Sequence, residues 1–410
     1  MRFPGSWVAV FFLTVIHWAA LVCANSQTFP QCTVKCMNDL IPGSSCALDD
    51  QRCICTDKQL IEDLSVCVTA TCTIRETLVS INITNTDCGV PVRDNTAPSI
   101  IIPAVGLNVL LLVALRTYTR FAVTASETGL DDWAVLLLAG CMIPLNAISI
   151  VLGKAGLGRD MWTLELDRIT RVIYYSWVLS IFYITCISLT KLCFLFFYLR
   201  IFPSNRLRLL IKILFALTVA YGIIFLFVVV FQCWPVSSGW LNWDLEGHGK
   251  CMQSNTMMIS ASAINIALDL LIIALPIPKV ASLQATTSTK VQVIAMFSMG
   301  FVITGVSIYR MVRLKLFALS INPTWDNAAS CYWSVVEVDV GVLCLCMPAT
   351  RSLLGRMFPN VFGSTSDPET TGQSVSRRSR PVVVTPGNTS FTQLIEMDHV
   401  PGSVKSHDDY

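Results

Sequence analysis

The 410-residue chain is 53% hydrophobic and 14% charged, with a formal net charge of +2 and a mean hydropathy of +0.61. Such hydropathy is too high for a soluble globular protein, and the near-zero charge provides no basic field, which excludes nucleic acid as a partner. The charged residues fall between long apolar runs instead. At the start, Arg2 precedes an apolar run from Trp7 to Val22, which closes on Val22-Cys23-Ala24. A basic start, an apolar core and small residues before the cut read as a cleaved signal peptide over residues 1–24.

Eight cysteines follow: Cys32, Cys36, Cys46, Cys53, Cys55, Cys67, Cys72 and Cys88. An even set in so short a segment is a disulfide framework, because the segment buries too little apolar surface to fold firmly unaided. Disulfides persist in oxidising compartments, which places residues 25–95 outside the cytosol. The spacing leaves the pairing open. A zinc reading needs paired knuckles, often with His, and the segment holds no His. The sequon Asn82-Ile83-Thr84 marks Asn82 for glycosylation on the same side. The order of the gaps, the C-x-C at Cys53 and Cys55, and an acidic residue three positions before the fourth cysteine resemble the fungal CFEM domain over about residues 29–90. The resemblance implies that Asp50 is an axial ligand of ferric haem iron. A carboxylate, as a hard oxygen donor, suits ferric iron. Read from its neighbours alone, Asp50 caps a turn or helix.

Seven apolar runs come next, at about 98–119, 131–153, 172–200, 208–232, 254–276, 290–310 and 329–348. Each is long enough for a hydrocarbon core of roughly 30 Å, which takes about 20 helical residues. Lipid cannot satisfy an open backbone, and the alternation of barrel strands is absent. The fold class is therefore an all-α membrane protein: a small disulfide-rich extracellular domain, a seven-transmembrane-helix bundle over 96–356, and a disordered cytoplasmic tail over 357–410. Seven crossings leave the N-terminus extracellular and the C-terminus cytoplasmic, as expected of a multi-pass protein of the plasma membrane with lipid as its first partner. Lys and Arg, with Arg310 and Arg313 counted to an outer loop, divide almost evenly between the two sides, so positive charge does not set the orientation. The tail is rich in Ser, Thr, Pro and Gly.

The loop from Cys233 to Cys251 carries Trp234, Trp240 and Trp243 between its two cysteines. A disulfide between Cys233 and Cys251 would close it as a lid on the outer face. The remaining cysteines, such as Cys141, Cys186, Cys193 and Cys344, lie in apolar runs and read as small buried hydrophobes. Charge at membrane depth is costly and faces the bundle interior or water. Lys191, Asp269 and Glu337 are thus candidates for an intramembrane switch, with Lys191 facing Asp269 or Glu337. Glu337 and Asp339 lie about 200° apart round a helix and cannot share a partner. Pro276 and Pro278 should end the fifth helix and Pro348 the seventh, while Pro144 should kink the second.

DDW at 131–133, GKAGLGRD at 153–160, SLTKLCFLFFYLRIF at 188–202, the stretch from Asp269 to LPIP, NPTW at 322–325, and Trp333 with Glu337 and Pro348 are similar to the fungal integral-membrane family labelled rhodopsin-like. Joined to a CFEM-like module, the set resembles the GPCR-like receptors of filamentous ascomycetes. It departs from the family at Asp160, where His is the commoner residue. The resemblance implies a cell-surface receptor signalling through heterotrimeric G proteins, with haem or iron acquisition as the alternative. The chain lacks DRY after the third helix, with YLR at 198–200 in its place, and its seventh run has no Lys for a retinal Schiff base. Neither HExxH nor GxSxG occurs, so no catalytic role is expected.

Overall fold

A computed structural model describes residues 28–357, apart from residues 48, 124–128, 202–203, 278–286, 318–319 and 321. The signal peptide, Pro278 and the tail beyond Met357 lie outside the described residues.

The amino-terminal module is four short helices: α1 (Gln31–Leu40), α2 (Gln51–Thr56), α3 (Lys58–Thr71) and α4 (Ile74–Asp87). Local chemistry starts each of the last three. Asp50 Oδ1 accepts from the Cys53 amide at 3.1 Å, and Asp57 Oδ1 accepts from Gln59 and Leu60. Thr73 and Glu76 form a reciprocal capping box, which satisfies two orphan donors of the first turn. The core of the module is small: Ile41, Cys46 and Leu60, with Met37, Leu40 and Leu64 around them. Disulfides supply what this core lacks. They join Cys32 to Cys72, Cys36 to Cys67, Cys46 to Cys53 and Cys55 to Cys88. In the chain-entropy view each is worth roughly 2–4 kcal/mol, least for Cys46–Cys53, which closes the shortest loop. With all eight sulfurs paired, no thiolate remains for zinc.

Seven long helices follow: α5 (Pro98–Tyr118), α6 (Leu130–Ala155), α7 (Leu166–Ile201), α8 (Asn205–Val230), α10 (Ser254–Ala274), α11 (Thr287–Phe317) and α12 (Pro323–Met357). Between α8 and α10, β1 (Cys233–Trp234) pairs antiparallel with β2 (Lys250–Cys251) around the helical turn α9 (Ser238–Leu241). Successive long helices pack side by side, α12 closes the ring against α5, and α7 also packs on α12. Leu138, Met142, Leu145, Ile187, Val335 and Val338 fill the centre. Leu107, Leu111, Ile143, Leu217, Ile224 and Phe227 point outward and are exposed, as lipid-facing residues are. Among the described residues six helices, all but α11, are long and apolar enough to cross a membrane.

Two boundaries differ from expectation. Helix α11 runs to Phe317, so Arg310, Arg313 and Lys315 belong to a helix and not to an outer loop. A hydropathy window stops at the first charges, whereas a helix continues wherever neighbours can pair them. Pro348 does not end α12, which runs nine residues further to Met357. A proline deprives one carbonyl of its helical donor, here that of Cys344, and the Arg116 guanidinium enters the same turn to donate to the Leu345 carbonyl. Helix α10 does end at Ala274, two residues before Pro276, and α6 remains helical through Pro144.

Candidate functional site

Four helices aim polar side chains at one another in the bundle interior. Each contributes residues three, four or eight apart, spacings that share a helix face: Tyr183 and Lys191 on α7; Ser262, Asn265 and Asp269 on α10; Ser307 and Arg310 on α11; Ser334 and Glu337 on α12. Lys191, 2% exposed, forms an ion pair with Asp269. Glu337 is fully buried. Its Oε1 accepts from Asn265 Nδ2 at 3.0 Å and from the Ser307 hydroxyl, and its Oε2 accepts from the Tyr183 hydroxyl at 2.8 Å. Asn265 Nδ2 also lies 3.4 Å from Asp269 Oδ2, so a single amide links the two acids.

On the far side of Tyr183, Arg310 Nη1 donates to the tyrosine oxygen at 3.0 Å and to Ser262 at 3.2 Å, while Nε donates to Ser334 at 2.7 Å. The guanidinium lies 4.1 Å from the Tyr183 ring centroid. The network therefore balances two cations, Lys191 and Arg310, against two anions, Asp269 and Glu337. The structure brings the three sequence candidates together and pairs Lys191 with Asp269, leaving Glu337 to the uncharged donors and, through Tyr183, to Arg310. Arg310 was missed because it lies at the edge of its apolar run. Its three-residue spacing from Ser307 is the signal that marks it.

Above this network the cysteine module sits on the bundle. Leu78 of α4 shares a buried cluster with Met161 and Ile169, flanked by Ile74, Trp162, Leu164 and Trp243. Arg75 donates to Asp244 Oδ2 through Nη2 at 2.6 Å and Nε at 2.8 Å. Burial pushes the Asp244 carboxyl up, but the Arg75 bonds and the Glu246 amide outweigh it and hold the group below the usual carboxylate range. The linker to α5 is pinned as well. Arg93 Nε bonds both oxygens of Asp160, at 3.1 and 3.2 Å, a contact that raises the Arg93 pKa further. Its guanidinium packs 4.4 Å from the Trp325 ring centroid. Asp160, 1% exposed, also accepts from Asn322 Nδ2 at 2.8 Å.

The glycine-rich turn before Asp160 is shaped by this junction. Gly158 has φ +91, and a Cβ there would meet the Asn95 carbonyl at 2.4 Å. Its N–H donates to the Thr324 carbonyl, and its own carbonyl accepts from the Asn95 amide. The departure at Asp160 thus places a structural carboxylate at the meeting point of the linker, the α6–α7 loop and the start of α12.

The remaining candidates are placed as follows. Cys233 and Cys251 are bonded, and their loop lies over the start of α7: Trp240 packs 5.1 Å from both Tyr174 and Trp177, and Trp243 Nε1 donates to Thr170 at 3.0 Å. Trp234 is 76% exposed at the level of the helix ends. Asp50 is exposed, with one oxygen capping α2. Asn82, the sequon residue, lies half-buried in the middle of α4. Cys141, Cys186, Cys193 and Cys344 are unbonded. At the opposite end of the bundle Asp131 gathers three arginines: Arg200 at 3.1 Å, Arg120 at 3.2 Å and Arg116 at 3.8 Å. Asp132 accepts from the Gly129 amide. The DDW stretch and YLR arginine are therefore one cluster, tied to α12 through Arg116.

Comparison with known proteins agrees with this architecture. Residues 115–356 match the family described as Fungal rhodopsin domain, and residues 25–89 match the CFEM domain. The chain is 24% identical to the "Polyenoic acids biosynthesis gene cluster protein Ba17b" of Metarhizium anisopliae, over 63% of this chain and 73% of that protein. It is 28% identical to a "SAT4 family membrane protein" of Emericella nidulans, over 60% and 63% of the two chains. It is 25% identical to "Receptor GIN3" of Arthrobotrys oligospora, over 62% and 61%. For the latter two, the match spans less than two thirds of the relative. No solved structure matches.

Proposed function

The chain belongs to the fungal rhodopsin domain family and carries a CFEM domain, and from this we propose that it is a fungal cell-surface receptor. In this reading it senses an extracellular or surface cue and signals inward through heterotrimeric G proteins. Helix α11 also crosses the membrane, as the sixth of seven spans, residues 1–24 are a signal peptide, and the disulfide module faces outward at the plasma membrane. The tail is then cytoplasmic, and no catalysis is involved. One observation carries the reading. The cysteine module rests on the α6–α7 loop and the start of α7, its linker residue Arg93 reaches Asp160 and Trp325 at the start of α12, and α7 and α12 lead directly to Tyr183, Lys191 and Glu337 in the interior. A cue that shifts the module acts on the two helices that organise the buried charges.

The test uses the purified full chain in lipid nanodiscs with a nucleotide-free fungal heterotrimer. Retention of the heterotrimer, reversed by a non-hydrolysable GTP analogue and weakened in Glu337→Gln, supports the reading. No retention by the wild type above empty nanodiscs overturns G-protein coupling.

Asp50 supports a second reading, haem or iron capture. Its exposed carboxylate is a hard donor suited to ferric iron, and the α2 cap fixes its direction. Haem bound there would supply an iron centre for reversible capture, and Asp50 would be the residue that holds it. Titration of the full chain with ferric haem, beside Asp50→Ser, tests this: serine keeps the helix cap but removes the carboxylate. Equal Soret shifts in both proteins, or none in either, would sink the assignment.

A further inference from the structure

The interior network is balanced without Asp339. This residue is 4% exposed, it points away from the Glu337 side of α12, and neither carboxylate oxygen has a hydrogen-bond donor. Asn146 of α6 lies beside it. That amide is also incomplete: its nitrogen donates to the Met142 carbonyl at 3.0 Å, and its oxygen has no donor. Helix α5 presses on the same spot, since a Cβ on Gly106 would lie 2.4 Å from Asn146 Oδ1. Three buried acceptor oxygens therefore meet, none with a donor in hydrogen-bond geometry, although the Asn146 amide is close enough to bear on the Asp339 carboxyl. An isolated buried carboxylate is far too costly to persist as an anion. The buried cations are committed elsewhere, Lys191 to Asp269 and Arg116 to the Leu345 carbonyl and Asp131, and the half-buried Arg310 bonds Tyr183, Ser262 and Ser334.

We propose that Asp339, with Asn146 beside it, is a proton-binding site between the second and seventh helices. One proton on the Asp339 carboxyl removes the uncompensated charge and creates a donor where there is none, and Asn146 Oδ1 is the acceptor that a rotation of the amide brings to it. A metal cation is the poorer occupant, because a hard cation takes more oxygens than these three. The thiol of Cys186 on α7 lies near the Asp339 carboxyl, with Cys141 of α6 beyond. Among the described residues, α5 brings Gly106 to the site and α11 brings no ionisable group. On α12 itself Glu337 faces the opposite way.

The inference needs only this burial, and it stands or falls independently of G-protein coupling. Infrared spectroscopy of the purified full chain in nanodiscs at neutral pH reads it directly. The expected result is a carboxylic-acid carbonyl band that shifts in heavy water, disappears in Asp339→Asn and changes frequency in Asn146→Ala. If Asp339→Asn does not fold, wild-type protein labelled with carbon-13 at aspartate alone assigns the band, since a Glu337 acid would not move. Absence of an aspartic-acid band in the wild type, or its survival in Asp339→Asn, overturns the proposal. So does thermal stabilisation by sodium but not choline chloride that Asp339→Asn abolishes, which would assign the site to a metal cation.

Discussion

Replacing Lys191 by Met keeps the length of the side chain, removes its charge and leaves Asp269 buried beside a thioether. Both members of this pair are almost wholly enclosed. Removing one partner of such a pair costs about 3–5 kcal/mol, because the survivor is an uncompensated buried charge. For a helical domain of this size each kcal/mol shifts the melting temperature by about 2–4 °C, so Lys191→Met should melt roughly 6–20 °C lower. Replacing both partners by apolar residues is often neutral, and Lys191→Met with Asp269→Leu should recover most of the loss. The assay is built into the chain: Cys186, Cys193, Cys331, Cys344 and Cys346 are buried free thiols, which a thiol-reactive dye reports as they emerge on unfolding. A single mutant within about 1 kcal/mol of wild type would match an exposed pair and refute the argument. A double mutant no better than the single would refute it too.

Three further outcomes follow from the junctions at the two ends of the bundle. The Asp244 carboxyl is held below its ordinary value, so its contribution is present above the unfolded pKa of about 3.9 and is lost as pH falls through the folded value. Hydrogen exchange in α4 should therefore rise at pH values below about 4, and Asp244→Asn should show the faster exchange already at neutral pH. Gly158→Ala, at positive φ and against the Asn95 carbonyl, should destabilise the junction by more than 1 kcal/mol or so, read as faster proteolysis of the 90–97 linker. Asp131→Asn weakens the hold on Arg116, Arg120 and Arg200 and, on the receptor reading, should raise basal nucleotide exchange on a G protein; unchanged exchange would count against a restraining role for the cluster.

Much of this was legible in the residues, and the failures have physical causes. The eight cysteines announced a stapled module because they are numerous and closely spaced, but their pairing depends on how α1 lies against α3 and α4. Lys191, Asp269 and Glu337 stood out because charge is rare in apolar runs. Which cation serves which anion depended on helix rotation, and Arg310 was assigned to a loop because a hydropathy window cannot see that Tyr183, Ser262 and Ser334 would receive it. Pro348 looked like a terminator for the same reason, since the Arg116 guanidinium that enters its turn comes from a helix far away in sequence. Asp160 was visible only as a departure, and its role required the linker Arg93 and Asn322 to be seen together.

The shared cluster of Leu78, Met161 and Ile169 also sets an order of assembly. Ribosomes deliver the cysteine module before the third helix exists, so Ile74 and Leu78 of α4 emerge without the surface that later covers them. Oxidation of the cysteines can precede that event, but the final packing of the module waits for α7 to enter the membrane. Where oxidation comes first, the newborn protein has its disulfides complete while an apolar face still awaits its partner. That face is covered only once the third helix has been inserted.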